Sequence, residues 1–485
     1  MNQPSRALAF AALAAALLCW MAAAAPARAV EARMGGEHYV YAASFVNRNF
    51  TGWSAGGSQT EDAFTLWQRT RLRLDLTSGD ALGFSFWAQV QNTPWGNGTL
   101  SVDNPAVALQ VFKAYLLFKL PGTDVALAAG KQTVTLPQSE AFNGSVVLDS
   151  ELGALSAKVP LGGNVSLTAG YGRPLGYVNA LENVAANPRD ALDLFFATLP
   201  VTGESFSATP WLMAGLFSNN GTITPYQGAG GPPDLGYIRQ DMLSIGYFER
   251  TPGFRQACAP YFWAGSSFKL GLNRVSLYAD VAAGLGAAWD APKNRRRGVF
   301  MDAAASYDAL GFMTPRLFGW WASGEDGDVR GGSERMPALV RTWNAGASYL
   351  FSTGQVFDNT TSINACPIGA WGLGASLDAV SILPELSSRL TAVYARGTNA
   401  PKALRRAVEL TGENGMAQIG RHLSVNEYLI GLNFDHAWTV CAGLKIVVET
   451  GWAHAGGLQR SIWGTRFVNA ARDSWKAAWG LLYTF

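Results

Sequence analysis

Histidine and cysteine are both scarce, at four each in 485 residues. Cys19 lies in an apolar leader, and Cys258, Cys366 and Cys441 are widely spaced without a C-x-x-C pair. This excludes a small disulfide-stapled scaffold and leaves room for one bridge at most. His38, His422, His436 and His454 form no local cluster, so the sequence offers no zinc ligand set. It also shows no nucleophile signature beside a base, and Gly170-Tyr171-Gly172 lacks the strand-turn-helix setting of a phosphate loop. Neither an enzyme nor a cofactor is implied. Charge of one sign is missing too. Without Arg6 and Arg28 of the leader, 35 basic residues face 35 acidic ones, with no basic tract to suggest nucleic acid. Beyond residue 29 no apolar run reaches the length of a transmembrane helix, about 20 residues.

What is present begins with residues 1 to 29. A single early cation, Arg6, precedes an apolar run ending near Ala25, and Ala27-Arg28-Ala29 fits a small-x-small cleavage site. The expectation is a secretory signal cut after Ala29, followed by one domain over 30 to 485. At the other end, Trp475, Ala477, Trp479, Leu481, Tyr483 and Phe485 share one face of an alternating segment. Rings kept on one face in this way suit a closing strand against lipid.

Alternation recurs along the chain. Thr70, Leu72, Leu74 and Leu76 share one face, and Arg69, Arg71, Arg73 and Asp75 the other. Ser78-Gly79-Asp80 then turns into a second alternating run through Phe84, Phe86 and Ala88. Further turns are read at Pro121-Gly122-Thr123, at Gly162-Gly163, near Gly203, at Gly271-Leu272-Asn273, near Gly311, near Pro384 and near His436-Ala437-Trp438. Long segments separate these hairpins, among them 92 to 108, 134 to 150, 218 to 255, 324 to 370 and 397 to 421. So many long loops are unusual in an ordinary domain. They suit an all-β transmembrane antiparallel barrel of 16 or 18 strands, with short periplasmic turns and long external loops. Closure pairs every backbone group, which hydrocarbon demands.

With the leucines toward lipid, Arg69, Arg71 and Arg73 face the lumen, since a guanidinium facing lipid at mid-depth costs about 2–4 kcal/mol. Lys113 and Lys131 join them as a basic wall. The third long segment, near 134 to 150, carries Glu140 and Asp149 and is expected to bend inward as a constriction loop. Acids opposite a basic wall would set a transverse field that discriminates by size and charge. Two charge runs lie outside this scheme. Arg295-Arg296-Arg297 reads as a hydrated external run that could also bridge lipopolysaccharide. Asp326 and Asp328 are weak calcium candidates beside a default acidic turn, because the full helix-loop-helix spacing is absent.

The chain resembles the homotrimeric outer-membrane porins of sulfate-reducing bacteria. The resemblance rests on Leu66-Trp67-Gln68-Arg69-Thr70-Arg71-Leu72-Arg73-Leu74-Asp75, Asn92-Thr93-Pro94-Trp95-Gly96 and Thr209-Pro210-Trp211. It continues through Gly324-Glu325-Asp326-Gly327-Asp328, Gly332-Ser333-Glu334-Arg335, Tyr394-Ala395-Arg396-Gly397-Thr398-Asn399 and Asn433-Phe434-Asp435-His436. It implies a trimer of water-filled pores in a Gram-negative outer membrane, passing small hydrophilic solutes and ions by diffusion. Two readings stay open beside a general pore. One is a channel specific for a sugar or organic anion. The other is a structural barrel whose loops bind partners.

Overall fold

The computed structural model describes residues 30–52, 62–96, 109–175, 192–218, 240–250, 252–339, 343–351, 356–357, 362–413 and 415–485. The leader and its cleavage site lie outside the described residues. Eighteen strands form one closed antiparallel barrel. They are β1 (Glu31–Val46), β2 (Ala63–Ser78), β3 (Leu82–Pro94), β4 (Leu109–Lys119), β5 (Ala126–Thr135) and β6 (Asp149–Gly162). Next come β7 (Val165–Leu175), β8 (Leu192–Thr198 with Val201–Thr202), β9 (Phe206–Ser218), β10 (Cys258–Leu272), β11 (Val275–Gly286) and β12 (Arg296–Tyr307). The last six are β13 (Thr314–Ala322), β14 (Ala370–Val380), β15 (Leu386–Gly397), β16 (Tyr428–Cys441), β17 (Leu444–Gly456) and β18 (Ser474–Thr484). β8 breaks at Leu199-Pro200, where proline has no N–H to give the ladder, and both parts pair with β9.

Closure is made by β1, which pairs with β2 on one side and with β18 on the other. The seam is finished by Phe485, whose backbone exchanges two hydrogen bonds with Gly36, at 2.8 and 3.1 Å. A side chain at Gly36 would meet the Phe485 ring at 2.7 Å, so glycine is what lets the last aromatic lie there. The turn expected near His436 lies further on. β16 runs through His436 to Cys441, and the chain reverses at Ala442-Gly443, where Gly443 has a φ of 79°.

The outer face follows the alternation. Leu72, Leu155, Leu212, Leu317, Leu373 and Leu432 are all exposed there. At the loop end, ring contacts run across five strands from Trp371 through Tyr394, Tyr428, His454 and Trp452 to Trp475. At the turn end, Trp438, Tyr483 and Phe485 stand exposed. Two aromatic levels with aliphatic side chains between them are what a hydrocarbon slab with two polar interfaces selects.

Inside, the barrel holds an apolar cluster that includes side chains of the long segments. Trp343, Tyr349, Leu350, Phe351 and Phe357 belong to the segment expected as external loop 324 to 370, yet all are fully buried. That segment folds into the barrel, because rings in such number are not stable in a hydrated loop. The wall makes room for it: a side chain at Gly451 would meet Tyr349 Cβ at 2.5 Å, and one at Gly298 would meet the Met336 amide nitrogen at 2.2 Å. The other long segment expected to be wholly loop, 397 to 421, contains the helix α1 (Pro401–Thr411), which opens on proline and ends at Gly412.

The inner wall beside the plug carries a buried ion pair. Lys476 Nζ donates to Glu449 at 2.6 Å, and Glu449 also accepts the amides of Val356 and Phe357. Replacing Lys476 with methionine would strand a buried carboxylate. The expected loss is about 3–5 kcal/mol of stability. Urea unfolding of refolded K476M in detergent checks it, with K476M/E449Q expected to recover part of the loss, since glutamine removes the charge and keeps an oxygen for the two amides. A single variant as stable as the parent would show that the pair anchors nothing.

Candidate functional site

The lumen is shaped by two inward segments and the wall they press on. The first is the β5–β6 hairpin with its loop. β5 pairs with β4 only up to Ala114–Lys131, and β6 with β7 only up to Gly153–Arg173. Beyond those rungs the two strands pair only with each other, from Gln132–Leu152 to Thr135–Asp149, and Leu136 N extends the ladder to Leu148 O at 3.0 Å. One face of the hairpin, with Val134, Leu136, Leu148 and Leu152, is buried in the apolar cluster. The other carries Thr133, Thr135, Asp149 and Glu151, where Thr135 donates to Asp149 at 2.6 Å. Glu151 comes within electrostatic reach of the Arg71 guanidinium. Glu151 is thus the hairpin residue that the electrostatics link to β2.

At the tip, several side chains and amides reach β10 to β13. Ser139 donates to Asp280 of β11 through its amide at 2.8 Å and its hydroxyl at 2.5 Å. Gln138 donates to Asp302 of β12 at 2.7 Å. Asp280 and Asp302 are register partners, so the two carboxyls form one acceptor platform. Glu140 pairs with Lys269 and accepts from Tyr278 at 3.2 Å. Arg316 donates to Ala141 O.

The second segment clasps the first. Asn143 and Asn344 exchange backbone hydrogen bonds at 2.9 and 2.8 Å, and Leu339 N donates to Val147 O at 3.0 Å. Trp343 stacks on Phe142 with centroids 5.1 Å apart, and its Nε1 donates to the same Asp302 at 2.7 Å. Arg316 reaches both loops, donating also to Ala345 O at 3.0 Å. Around this clasp lies a cavity of about 280 Å³, lined by Glu140, Asn143, Asn344, Arg316 and Arg389.

The residues expected as a basic wall have acids set among them. Arg69 pairs with Glu37 at 2.7 Å, and Arg71 reaches the same carboxylate at 3.4 Å and Gln89 at 2.9 Å. Arg73 pairs with Asp75. Each cation also lies over a ring: Arg69 over Tyr39 at 4.3 Å, Arg71 over Phe112 at 4.2 Å, Arg73 over Trp87 at 5.1 Å and Lys113 over Trp87 at 4.5 Å. Side-chain exposure rises down the ladder, from 12% at Arg69 to 52% at Arg73. Lys131 stands where β5 parts from β4 and donates to Val111 O at 2.8 Å across the parting.

The structure thus separates two acids that the sequence grouped together. Asp149 lies on the hairpin face that carries Glu151, and Glu140, at the tip, is engaged by Lys269 of β10. Sequence reasoning missed Glu151, which lies one residue beyond the loop bounds but on the same alternating face as Asp149. It also missed Asp280 and Asp302, although a lone aspartate in each of two neighbouring apolar strands was a visible signal.

One expectation is corrected. Arg296 is fully buried, donating to the carbonyls of Arg335, Gln240, Leu243 and Met336. It ties loops together, because only a five-donor fork satisfies so many orphan carbonyls at once. Asp326 and Asp328 cap their own loop, accepting from the amides of Asp328 at 2.6 Å and Arg330 at 3.1 Å. Among the described residues they join no group of three His, Cys, Asp or Glu ligands.

Asp241, Cys366 and His422 do come together, all buried, with ligand atoms within 4.8 Å of one another. Their hydrogen bonds oppose a metal. His422 Nδ1 accepts from Gln418 N at 3.1 Å, which leaves the proton of the neutral ring on Nε2. Arg335 donates to both Asp241 and Cys366 at 3.4 Å, already supplying the positive charge.

A closed 18-stranded barrel with inward loops is the architecture of membrane channels. No family model matches the sequence, and no curated protein matches it. Solved porin structures do match its fold. OpdO of Pseudomonas aeruginosa aligns with a TM-score of 0.51 and 13% identity, covering 93% of this chain and 97% of that one. OccK11 (OpdR) of the same organism gives 0.50 and 12%, covering 94% and 96%. OccK2 (OpdF), crystallised with glucuronate, gives 0.50 and 12%, covering 94% and 98%.

Asp302 holds both inward segments. Its replacement by alanine is expected to loosen them together while leaving every strand paired. Single-channel recordings should show higher and noisier conductance than the parent. Unchanged conductance and noise would mean that the clasp is held elsewhere.

Proposed function

We propose that this chain is an outer-membrane porin that passes small hydrophilic solutes and ions by passive diffusion. The observation that carries the reading is the pairing of a lipid-suited outer face with a lumen narrowed by its own β5–β6 hairpin. We read Arg69, Arg71, Arg73 and Lys113 as the basic side of that narrowing and Asp149 and Glu151 as its acidic side, a reading supported by Glu151 lying within electrostatic reach of Arg71. Charges fixed on opposite walls orient dipolar solutes and tax ions of the wrong sign. The fold likeness to Pseudomonas porins supports transport rather than catalysis. The homotrimer and the kinship with porins of sulfate-reducing bacteria rest on the sequence resemblance, the lipopolysaccharide contact on the Arg295-Arg296-Arg297 run, and export through the periplasm on the expected leader.

A second reading has a specific support. A neighbour of the same fold was crystallised with glucuronate, a carboxylate-bearing sugar. The ring-backed arginine ladder suits a solute that is both anionic and sugar-like, which favours a preference for organic anions over a purely general pore.

Planar-bilayer recording tests both. Step conductance is expected, and its absence would contradict the porin reading. R69Q/R71Q/R73Q should move the reversal potential toward cations at 0.1 M salt, and E151Q should move it the other way. Both shifts should shrink in 1 M salt, where the screening length falls from about 10 to about 3 Å. Equal selectivity in all three proteins at low salt would remove the ladder as a filter.

A further inference from the structure

The loop end carries a second concentration of positive charge, apart from the lumen ladder. A cavity of about 380 Å³ is lined by Arg330, Lys402, Arg405 and Arg406, with Glu249, Asp328 and Glu409. A neighbouring cavity of about 600 Å³ shares Arg330 and Glu249 and adds Arg250, Arg255 and Lys293. The cations come from four segments far apart in the chain, so only the fold gathers them. Seven cations thus surround two joined cavities against three acids.

The acids are engaged. Glu249 lies between the cavities, pairing with Arg406 at 2.9 Å and Arg330 at 3.6 Å. Glu409 is held by Arg405 at 3.6 Å and Arg406 at 3.1 Å. Asp328 caps the amide of Arg330. These contacts fix the guanidinium groups in place without cancelling their charge. The cations stay accessible: Arg330 keeps 71% of its side-chain surface and Arg405 keeps 50%. Gathered like charges repel, and a bound anion relieves that repulsion. Arginine forks match phosphate oxygens in pairs, and Lys402 adds a point charge.

We propose that the shared border of these two cavities, around Arg330, is a capture site for one soluble anion bearing two linked phosphate groups. A soluble ligand is favoured over a lipid headgroup by the segments involved. Arg330 belongs to the same long segment that plugs the barrel. α1 buries Ala403, Leu404 and Ala407 in the apolar cluster that fills the barrel. The proposal goes beyond the porin reading and does not need conduction to be true.

Isothermal titration calorimetry of the purified full-length protein with pyrophosphate tests it, with acetate as a control. One pyrophosphate per chain is expected, with affinity falling steeply as salt rises, and no heat from acetate. R330Q/K402Q/R405Q should weaken binding at least tenfold. The variant's unchanged single-channel conductance in 1 M salt would show that it is folded. Equal affinity in parent and variant, or no pyrophosphate binding by the parent, would overturn the proposal. A second arm offers diphosphorylated glycolipid in nanodiscs. Its retention by a parent that ignores pyrophosphate would also overturn the soluble assignment and give the site to lipid.

Discussion

A chain crossing hydrocarbon with strands must leave no backbone group unpaired at any edge. Every other feature of this molecule follows from that constraint. β1 closes on β18, and the ring so made turns alternate side chains outward and inward. The outward set can be aliphatic and aromatic because nothing else is asked of it. The inward set has no such simplicity. It must satisfy the polar groups of the wall and the segments folded into the barrel.

Those segments are held by a few polar anchors rather than by apolar packing alone. The Asp280–Asp302 platform takes donors from both loops. Arg316 takes carbonyls from both. Glu449 binds two amides of the second loop and the ammonium of Lys476. Each anchor buries charge, which is expensive, and each is furnished with several partners, which is what makes the burial tolerable. The arrangement also explains the hairpin. Once β5 and β6 leave their neighbours, their free edges lie inside the barrel, and their apolar face finds the inner wall while Glu151 comes within electrostatic reach of Arg71.

The barrel was legible in the sequence because alternation is local. Leucines opposite arginines on β2 say which way each face turns, and short turns opposite long segments say how the strands connect. The turn near His436 was misplaced because the polar break there is only a histidine within a strand that continues to Cys441. The lumen was legible in part. Arg69, Arg71 and Arg73 share one face of β2, as the alternation implied, their role as a filter being a proposal, and the third long segment is tied to β11 and β12. What anchors it depends on contacts between residues more than a hundred positions apart, such as Ser139 with Asp280. No local pattern reports those. The plug was nonetheless hinted at by composition: Trp343, Tyr349, Leu350, Phe351 and Phe357 are too apolar for a loop in water. Arg296 was misread for the complementary reason, since a run of three arginines looks hydrated until the carbonyls that need it are in view.

The central claim is that both long segments are packed elements of the barrel interior, held there by buried polar anchors. Hydrogen–deuterium exchange of the protein in nanodiscs tests it directly, because exchange follows local opening rather than average structure. Peptides covering 136 to 148 and 343 to 351 are predicted to exchange as slowly as the barrel strands. Exchange of those peptides as fast as the short turns at the opposite end would contradict the account.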